Sequence, residues 1–585
     1  MKITIAASIA LLGGLSQAYT LTACKGDSCK EDCKTFTGPD VTGPSGTVGE
    51  CIDIGFFAQS YFFIQDNSDY NWQEALGGWP SNETCVASGK GLHSAPIIDY
   101  STNEDFAQCS NLLTQNHPDM GFTQFLVGQC VLILLFIGID EEMGSERFPV
   151  HDNGIFRNLP TFDPSITGLT AIITGANGIS GFHLLRALLA SPERWSKIYA
   201  LSRRPPPAEM MSLLPESQRS RVQHVAVDFL DDPTNIAQTL TSAGISAEYI
   251  FFYSYLQPAP APGAAVWSNA EELVKVNVTL LENFMKAITI SNISPKRFLL
   301  QTGAKNYGVQ IGRIRAPAVE SDPVPAHLEP NFYYPQEKVL FEYCKANNTS
   351  WNVIRPAWVL GAVPNAQMNA LLPVAIYAAV QAHKGEPIYF PSDWETWQYE
   401  GHHSTALLTG YLSEWAVLEE KAKNQAFNAQ DTGPMTWDRL YEELVRWFSV
   451  EKGIVPPEED STKFEELVGK AGADTPMGYG PPAIHRTTFK LADWASCPEN
   501  KAAWADMQRQ SGGQLTSNPF DDVEANFAFG DQAFRKIPSL NMNKARRLGW
   551  NGFVDTMEAL FEIYSEMGDL GMLPRLKVKE PKPLV

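Results

Sequence analysis

The stretch "LTAIITGANGISGFHLLRALL", residues 169–189, decides the fold class of most of this 585-residue chain. A short apolar run leads into three glycines, and leucines then recur on one side of a predicted helix. In such a unit, Gly175 closes the turn, Gly178 lets backbone N–H groups reach a pyrophosphate, and Gly181 lets helix and strand pack closely. The N-terminus of the helix stabilises the phosphate charge. The stretch therefore predicts a dinucleotide-binding turn.

The end of the second predicted strand indicates which dinucleotide binds. NAD-specific folds usually carry an acidic residue there, which holds the ribose 2′-hydroxyl. This chain instead has Ser202, Arg203 and Arg204 in "KIYALSRRPPP". Two guanidinium groups can pair with a 2′-phosphate. The pattern favours NADP(H) over NAD(H), and a solvated arginine pair is the alternative.

Further polar residues follow three later apolar runs. Asp228 and Phe229 lie in "VQHVAVDFLDD", Ser254 in "EYIFFYSYL", and Gln301 and Lys305 in "RFLLQTGAKNYG". Strands that alternate with helices predict a parallel α/β sheet. Ligands of such sheets bind beyond the carboxyl ends of the strands, so we expect these residues to gather at one mouth.

The stretch "NFYYPQEK", residues 331–338, contains two candidate catalytic phenols. Tyr334 and Lys338 have the YxxxK spacing that many short-chain reductases use to polarise a carbonyl group. Tyr333 stands one place earlier, and Lys305 follows a buried strand at the expected mouth. A solvated lysine on a helix is the simpler interpretation of Lys338, yet the spacing alone leaves both phenols open.

Six stretches together resemble the progesterone 5β-reductase/iridoid synthase-like enone reductases (PRISE) of the short-chain dehydrogenase/reductase superfamily, over about Leu169 to Pro574. They are "TGANGISG", "ALSRRP", "LLQTGAKNY", "NFYY", "IRPAWVLGAVPNAQMN" and "NMNKARRLGWNGF". The resemblance implies an α/β fold: a Rossmann-type, doubly wound parallel sheet with a smaller, mostly helical substrate domain. It also implies an NADPH-dependent enzyme that transfers hydride to the β-carbon of an α,β-unsaturated carbonyl compound.

The resemblance further implies roles for individual residues. Family members use the first tyrosine of "NFYY" and the lysine of "QTGxK", which are Tyr333 and Lys305 here. The chain departs from the family at Asn306, where histidine is usual, and at Ala357, where glycine is frequent, which leaves the substrate open. Beside Gly175 and Gly181 of the turn, the implied cofactor contacts are Asn177, Gly178, Ile179, Arg203, Arg204, Asp228, Phe229, Ser254, Gln301, Tyr333, Val359, Ala366, Gln367 and Met368.

Two other functions are compatible with the sequence. One is carbonyl 1,2-reduction or nucleotide-sugar epimerisation with Tyr334 and Lys338. The other is cofactor sensing without catalysis, as in NmrA-like regulators, but these lack the catalytic tyrosine. No metal site is expected, because the adjacent His402 and His403 point to different sides of a strand or helix and no further ligands have suitable spacing.

The first 130 residues have a different character, because they contain seven of the nine cysteines. They begin with a signal-peptide-like run and include an N-glycosylation sequon at Asn82, which together predict a small secreted, disulfide-rich segment. An uncharged run at 121–139 is long enough for a membrane span but is also compatible with a gene-model artefact. The predicted division is 1–18 signal-like, 19–120 cysteine-rich, 121–139 apolar, 140–165 linker, 166–365 NADP-binding and 366–585 substrate-binding.

The net charge of the chain limits the kinds of partner that it is expected to bind. A net charge of −21 argues against binding to nucleic acids or anionic membranes, which attract basic surfaces. The expected partner is a small apolar enone. Since NADPH is mainly an intracellular reductant, we expect the reductase part to act in the cytoplasm, whereas the signal-like segment would direct a continuous chain to the secretory pathway. The sequence leaves the oligomeric state open.

Overall fold

The computed structural model describes residues 150–258, 269–364, 366 and 368–582, together with the backbone of four short strands near the N-terminus. Two compact units are present, Met1–Arg147 and Phe148–Val585. The signal-like run, the side chains of the predicted disulfides and the apolar run at 121–139 lie outside the described residues. Over the part that is described, the helices are too short or too polar to cross a membrane.

The described part of the first unit is a small antiparallel sheet. Its strand Tyr19–Lys25 pairs with Glu31–Thr37, with Cys51–Ile52 and with Gln65–Asp66. The register places Cys24 opposite Cys51 along the backbone. That this segment is disulfide-rich stays a prediction.

The second unit is built on a parallel sheet of seven strands within the described residues. The strands are β1 (Leu169–Thr174), β2 (Trp195–Ser202), β3 (Val222–Ala226), β4 (Tyr249–Phe252), β5 (Arg297–Gln301), β6 (Ser350–Pro356) and β7 (Gln425–Ala429). Their order in the sheet is β3-β2-β1-β4-β5-β6-β7, so the order reverses between β1 and β4. Ligands of doubly wound sheets bind at such a switch point.

Helices cover both faces of this sheet and form a further layer beyond it. The longer ones are α1 (Ile179–Leu189), α2 (Pro233–Ser242), α3 (Ala270–Ile290), α4 (Tyr333–Ala346), α5 (Leu372–Lys384), α6 (Ala406–Leu418), α7 (Trp437–Phe448), α8 (Pro498–Gln510), α9 (Val523–Gln532) and α10 (Thr556–Asp569). Shorter helices span Ala208–Ser212, Glu216–Arg219, Trp394–Trp397, Leu491–Ser496 and Asn543–Arg547. Two short parallel pairs are present, Val359–Leu360 with Ser404–Thr405 and Ile388–Tyr389 with Ile454–Val455. Two antiparallel pairs are also present, His151–Asn153 with Phe156–Leu159 and Glu465–Val468 with Ile484–Thr487.

The central strands β1, β4 and β5 are almost entirely buried, because both faces of the sheet are covered there. Ala171 and Ile173 of β1 point to the face covered by α1 and α6. Ile172, between them, points to the opposite core, which contains residues of α2, α3 and α4. This alternation follows from the two-residue period of a strand. The predicted doubly wound α/β fold is confirmed.

The remaining helices share a second core. Tyr377 of α5, Leu440 of α7, Trp504 of α8, Phe527 of α9 and Tyr564 of α10 are all buried in one apolar cluster. The helical layer thus has an apolar core of its own, although Ala559 of α10 packs into the core on the sheet side.

The sheet itself extends beyond the predicted boundary at residue 365, because β7 and α6 follow that residue in the chain. The helical layer is also tied to the sheet by an ion pair. Arg186 of α1 donates two hydrogen bonds, of 2.9 and 2.5 Å, to the carboxylate of Glu566 in α10. The elements of the sheet and of the helical layer are thus interleaved in sequence.

Candidate active site

The glycine turn after β1 is built so closely that side chains would block it. Gly175 has a φ of +64°, and a Cβ there would lie 2.7 Å from the carbonyl oxygen of Tyr253. A Cβ at Gly181 would overlap the carbonyl oxygen of Gly175. Gly178 caps α1 and supplies no side-chain cap. The first N–H groups of α1 are thus left for an anion, as a pyrophosphate requires.

Two buried side-chain oxygens beside this turn have no hydrogen-bond partner among the described residues. The amide of Asn177 donates to the carbonyl oxygen of Arg204 at 2.8 Å, and that of Gln301 donates to Ser180 Oγ at 2.8 Å. The Oδ1 atom of Asn177 and the Oε1 atom of Gln301 are buried and accept no hydrogen bond from the part of the chain that is described. Buried polar atoms are usually paired. A dinucleotide, whose ribose hydroxyls donate hydrogen bonds, fits this set of residues.

The arginine pair lies next to the same turn. Asn177 and Ser202 both bind the carbonyl oxygen of Arg204, each at 2.8 Å, and so fix the backbone at the end of β2. The side chains of Arg203 and Arg204 are exposed, and neither forms an ion pair within the described residues. Both guanidinium groups are therefore available to a phosphate.

The other predicted cofactor contacts are placed as follows. Asp228 is exposed and accepts a hydrogen bond of 3.0 Å from the backbone N–H of Leu230. The Phe229 ring lies in the core, 5.1 Å from the ring of Phe284, so only its backbone can meet a ligand. Ser254 donates its N–H to Thr174 Oγ1 at 3.2 Å. Four further residues of the set are partly buried: Ile179, Val359, Ala366 and Met368. Gln367 lies outside the described residues.

Tyr333 and Lys305 are brought together by one asparagine. Asn331 accepts the backbone N–H of Tyr333 at 3.0 Å and donates to the carbonyl oxygen of Lys305 at 2.9 Å. A Cβ at Gly303 would lie 3.0 Å from the Tyr333 hydroxyl oxygen and 3.2 Å from the carbonyl oxygen of Pro356. The phenol therefore lies against the carboxyl ends of β5 and β6, where substrates of such sheets bind.

Tyr334 and Lys338 are placed differently. The Tyr334 hydroxyl donates to the backbone carbonyl of Asn306 at 3.1 Å. The Lys338 side chain is 75% exposed, and its nearest carboxylate is that of Glu342 at 3.9 Å. This geometry favours Tyr333 as the catalytic phenol, an assignment that stays a prediction.

The two candidate catalytic groups have perturbed acidities. Burial raises the pKa of Tyr333, and the nearby Tyr255 phenol raises it further. Burial lowers the pKa of Lys305 to about 8, with Glu329 opposing the shift and Arg535 adding to it. At pH 7, Tyr333 is therefore a protonated hydrogen-bond donor and Lys305 is mostly a cation.

Sequence reasoning missed two features of the site. Asn331, which anchors both Tyr333 and Lys305, could have been recognised from its position two residues before the first tyrosine, where asparagine commonly accepts a backbone N–H. Trp358, just after β6, has a φ of +47°, which is rare for a bulky residue, and packs against Phe529 with ring centroids 5.8 Å apart. No sequence pattern predicts such a conformation.

His402 and His403 do not form a visible metal centre. His403 is buried, and burial lowers its pKa to about 3. Over the residues that the structure describes, no three metal-binding side chains of the His, Cys, Asp or Glu type come together.

Comparison with known proteins gives a family. The PRISE-like Rossmann-fold domain matches residues 171–468. The short chain dehydrogenase gsfE of Penicillium aethiopicum is 28% identical over 413 residues, which cover 69% of this chain and 99% of that protein. An (S)-8-oxocitronellyl enol synthase of Catharanthus roseus is 24% identical over 69% of this chain and 92% of its own. A 3-oxo-Delta(4,5)-steroid 5-beta-reductase of Arabidopsis thaliana is 28% identical over 48% of this chain and 70% of its own.

Solved structures are more distant. The terminal R domain from the myxalamid PKS-NRPS pathway is 12% identical, covers 74% of this chain and 95% of its own, and has a TM-score of 0.42. A UDP-glucose 4-epimerase of Thermotoga maritima is 16% identical, covers 50% and 87%, and has a TM-score of 0.36. The family match includes more than half of the chain, and two of these relatives are named as a dehydrogenase and a reductase. The chain belongs to the PRISE-like Rossmann-fold family and is an oxidoreductase.

Proposed function

We propose that this protein is an NADPH-dependent reductase that saturates the double bond of α,β-unsaturated carbonyl compounds. The observation that carries the proposal is the position of the Tyr333 phenol, which lies against Gly303 and Pro356. Asn331 also links the backbone N–H of Tyr333 to the backbone carbonyl of Lys305. The name of one relative, a 3-oxo-Delta(4,5)-steroid 5-beta-reductase, describes the same type of reaction and supports the proposal.

The residues of the chain have separate tasks in this reaction. NADPH supplies the hydride that reduces the β-carbon of the substrate. Tyr333 donates a hydrogen bond to the carbonyl oxygen, on which negative charge develops as the enolate forms. Lys305 adds a positive potential at the same place. The α-carbon then takes a proton from water, so that the product is a saturated ketone and the charges balance.

The preference for NADPH over NADH can be tested by substitutions at the end of β2. Replacing both Arg203 and Arg204 by alanine is expected to lower the preference for NADPH over NADH roughly 10- to 100-fold, because two charge-assisted contacts to the 2′-phosphate are lost. The measurement is kcat/KM for each dinucleotide. Arg219→Ala is the matched control, since Arg219 is a surface arginine paired with Glu216 at 2.7 Å. An unchanged preference in the double variant would show that the pair does not hold this phosphate.

The identity of the product tests the function itself. The full-length chain is incubated with NADPH and a panel of cyclic and linear enones, and each product is identified by mass spectrometry and NMR. Saturated ketones are expected. Allylic alcohols would instead show 1,2-reduction of the carbonyl group and would favour Tyr334 and Lys338 as the catalytic pair. Tight NADPH binding without turnover of any enone would favour the NmrA-like regulator.

A further inference from the structure

Arg535, three residues after the end of α9, is a partly buried cation without a partner. Its guanidinium group forms no hydrogen bond and no ion pair within the described residues, and burial lowers its pKa with no carboxylate opposing the shift. Two other basic side chains, Lys536 and Arg486, do have carboxylate partners. Lys536 pairs with Glu395 at 3.4 Å, and Arg486 pairs with Glu466 at 2.7 Å. Partial withdrawal of a cation from water without a counter-charge is unfavourable. A bound anion would therefore stabilise this guanidinium group.

The segment that carries Arg535 has contacts on both sides with residues that follow β5 and β6. On its N-terminal side, Phe529 packs against Trp358, which follows β6. On its C-terminal side, Leu540 is buried in the same apolar cluster as Ala304 and Ala357, the neighbours of Lys305 and of the end of β6. Arg535 lies between these two contacts in the chain.

The electrostatics agree with this placement. The charge of Arg535 lowers the pKa of Lys305, so the two cations are close enough to repel each other. Arg535 likewise lowers the pKa of His485, which burial brings to about 4, and His485 is therefore neutral at pH 7. Glu329 is the carboxylate that opposes the shift at Lys305, and it has no such effect on Arg535.

The cofactor phosphates are poor candidates for this cation. Their predicted contacts, the glycine turn with Arg203 and Arg204, follow β1 and β2. The contacts of the segment around Arg535 are instead with residues that follow β5 and β6, the strands whose ends hold Tyr333. The anion expected at Arg535 therefore belongs to the substrate.

We infer that Arg535 binds a carboxylate of the substrate, so that the preferred substrates are enones with a separate acidic group. This inference rests on the proposed function and narrows the expected substrate from an apolar enone to an anionic one. A guanidinium group suits this role because it can donate two parallel hydrogen bonds to one carboxylate. Binding the acid at Arg535 would also fix the orientation of the enone relative to Tyr333.

The first test uses matched probes: 2-cyclohexenones with ω-carboxyalkyl side chains of one to four methylenes, and the methyl ester of each. Arg535→Gln is expected to lower kcat/KM for the best acid roughly 10- to 100-fold and to leave the esters within about twofold. Lys536→Gln is the control, because its cation is already paired with Glu395. Equal rates for acid and ester in the native chain, or an acid preference that survives Arg535→Gln, would overturn the inference.

A binding measurement separates this inference from the proposed function. Calorimetry with the NADP⁺-loaded protein compares the corresponding saturated keto acids with their esters. Tighter binding of the acid, lost in Arg535→Gln, supports the inference even if no enone is reduced, in which case only the proposed function fails. Equal or absent binding of acid and ester overturns it. A higher KM for NADPH in Arg535→Gln, without an effect on the acids, also overturns it, because the guanidinium would then contact the cofactor.

Discussion

Replacing Tyr333 by phenylalanine is expected to lower kcat for enone reduction by roughly 10²- to 10³-fold, because the enolate loses a preorganised hydrogen-bond donor. A Cβ atom built on Gly303 would lie 3.0 Å from the phenol oxygen, which places the phenol at the ends of β5 and β6. Its raised pKa keeps the phenol protonated. The ring itself remains in Tyr333→Phe, so KM for NADPH is expected to change little. Steady-state kinetics at saturating NADPH with the best enone of the panel measures the effect.

Tyr334→Phe is the control in the same turn of α4. It removes one hydrogen bond, from the Tyr334 hydroxyl to the backbone carbonyl of Asn306, which contributes about 1 kcal/mol to stability. Activity near that of the native chain is expected. If Tyr334→Phe lost the activity and Tyr333→Phe kept it, the chemistry would belong to Tyr334, and the assignment made from the resemblance would be wrong.

Removal of the Glu337 carboxylate is expected to destabilise the second unit by about 3–5 kcal/mol, because Arg355 is then left buried and unpaired. The two carboxylate oxygens of Glu337 each accept a hydrogen bond of 3.0 Å from Arg355 Nη2. The side chains are 6% exposed for Arg355 and 12% exposed for Glu337. Urea unfolding of Glu337→Ala, followed by tryptophan fluorescence, measures the loss.

The adjacent residue is the control for this prediction. Lys338→Ala removes a cation that is 75% exposed and lies 3.9 Å from its partner, so a change within about 0.5 kcal/mol is expected. Burial raises the pKa of Glu337 in spite of Arg355, which shows that desolvation offsets much of the attraction. Replacing both Glu337 and Arg355 by methionine is therefore expected to recover most of the lost stability. Equal losses for Glu337→Ala and Lys338→Ala would contradict the assignment of a buried pair.

The fold was predictable because its signals are local. The glycines of the turn are required by the geometry of one strand, one turn and one helix, which are consecutive in sequence. The continuous apolar runs of the strands indicate a sheet buried on both faces, as found. The extent of the sheet was less predictable, since β7 and α6 follow residue 365. Parallel pairing joins strands that are distant in sequence, and the local pattern of a strand does not state its partner.

The sequence by itself determined the doubly wound fold and the composition of the cofactor turn, since these depend on neighbouring residues. The spacing of the residues left Tyr333 and Tyr334 both open, and the tertiary structure places the Tyr333 phenol against the strand ends. Adjacent residues of a helix point in directions about 100° apart. The way in which α4 packs on the sheet therefore decides which phenol contacts the strand ends, and the hydrogen bonds of Asn331 hold the start of α4 in place. The same holds for Arg535, which has no counter-ion among the described residues. Its proximity to Lys305 arises from contacts between segments more than two hundred residues apart. Burial and charge compensation are properties of the packed chain, and no local pattern encodes them.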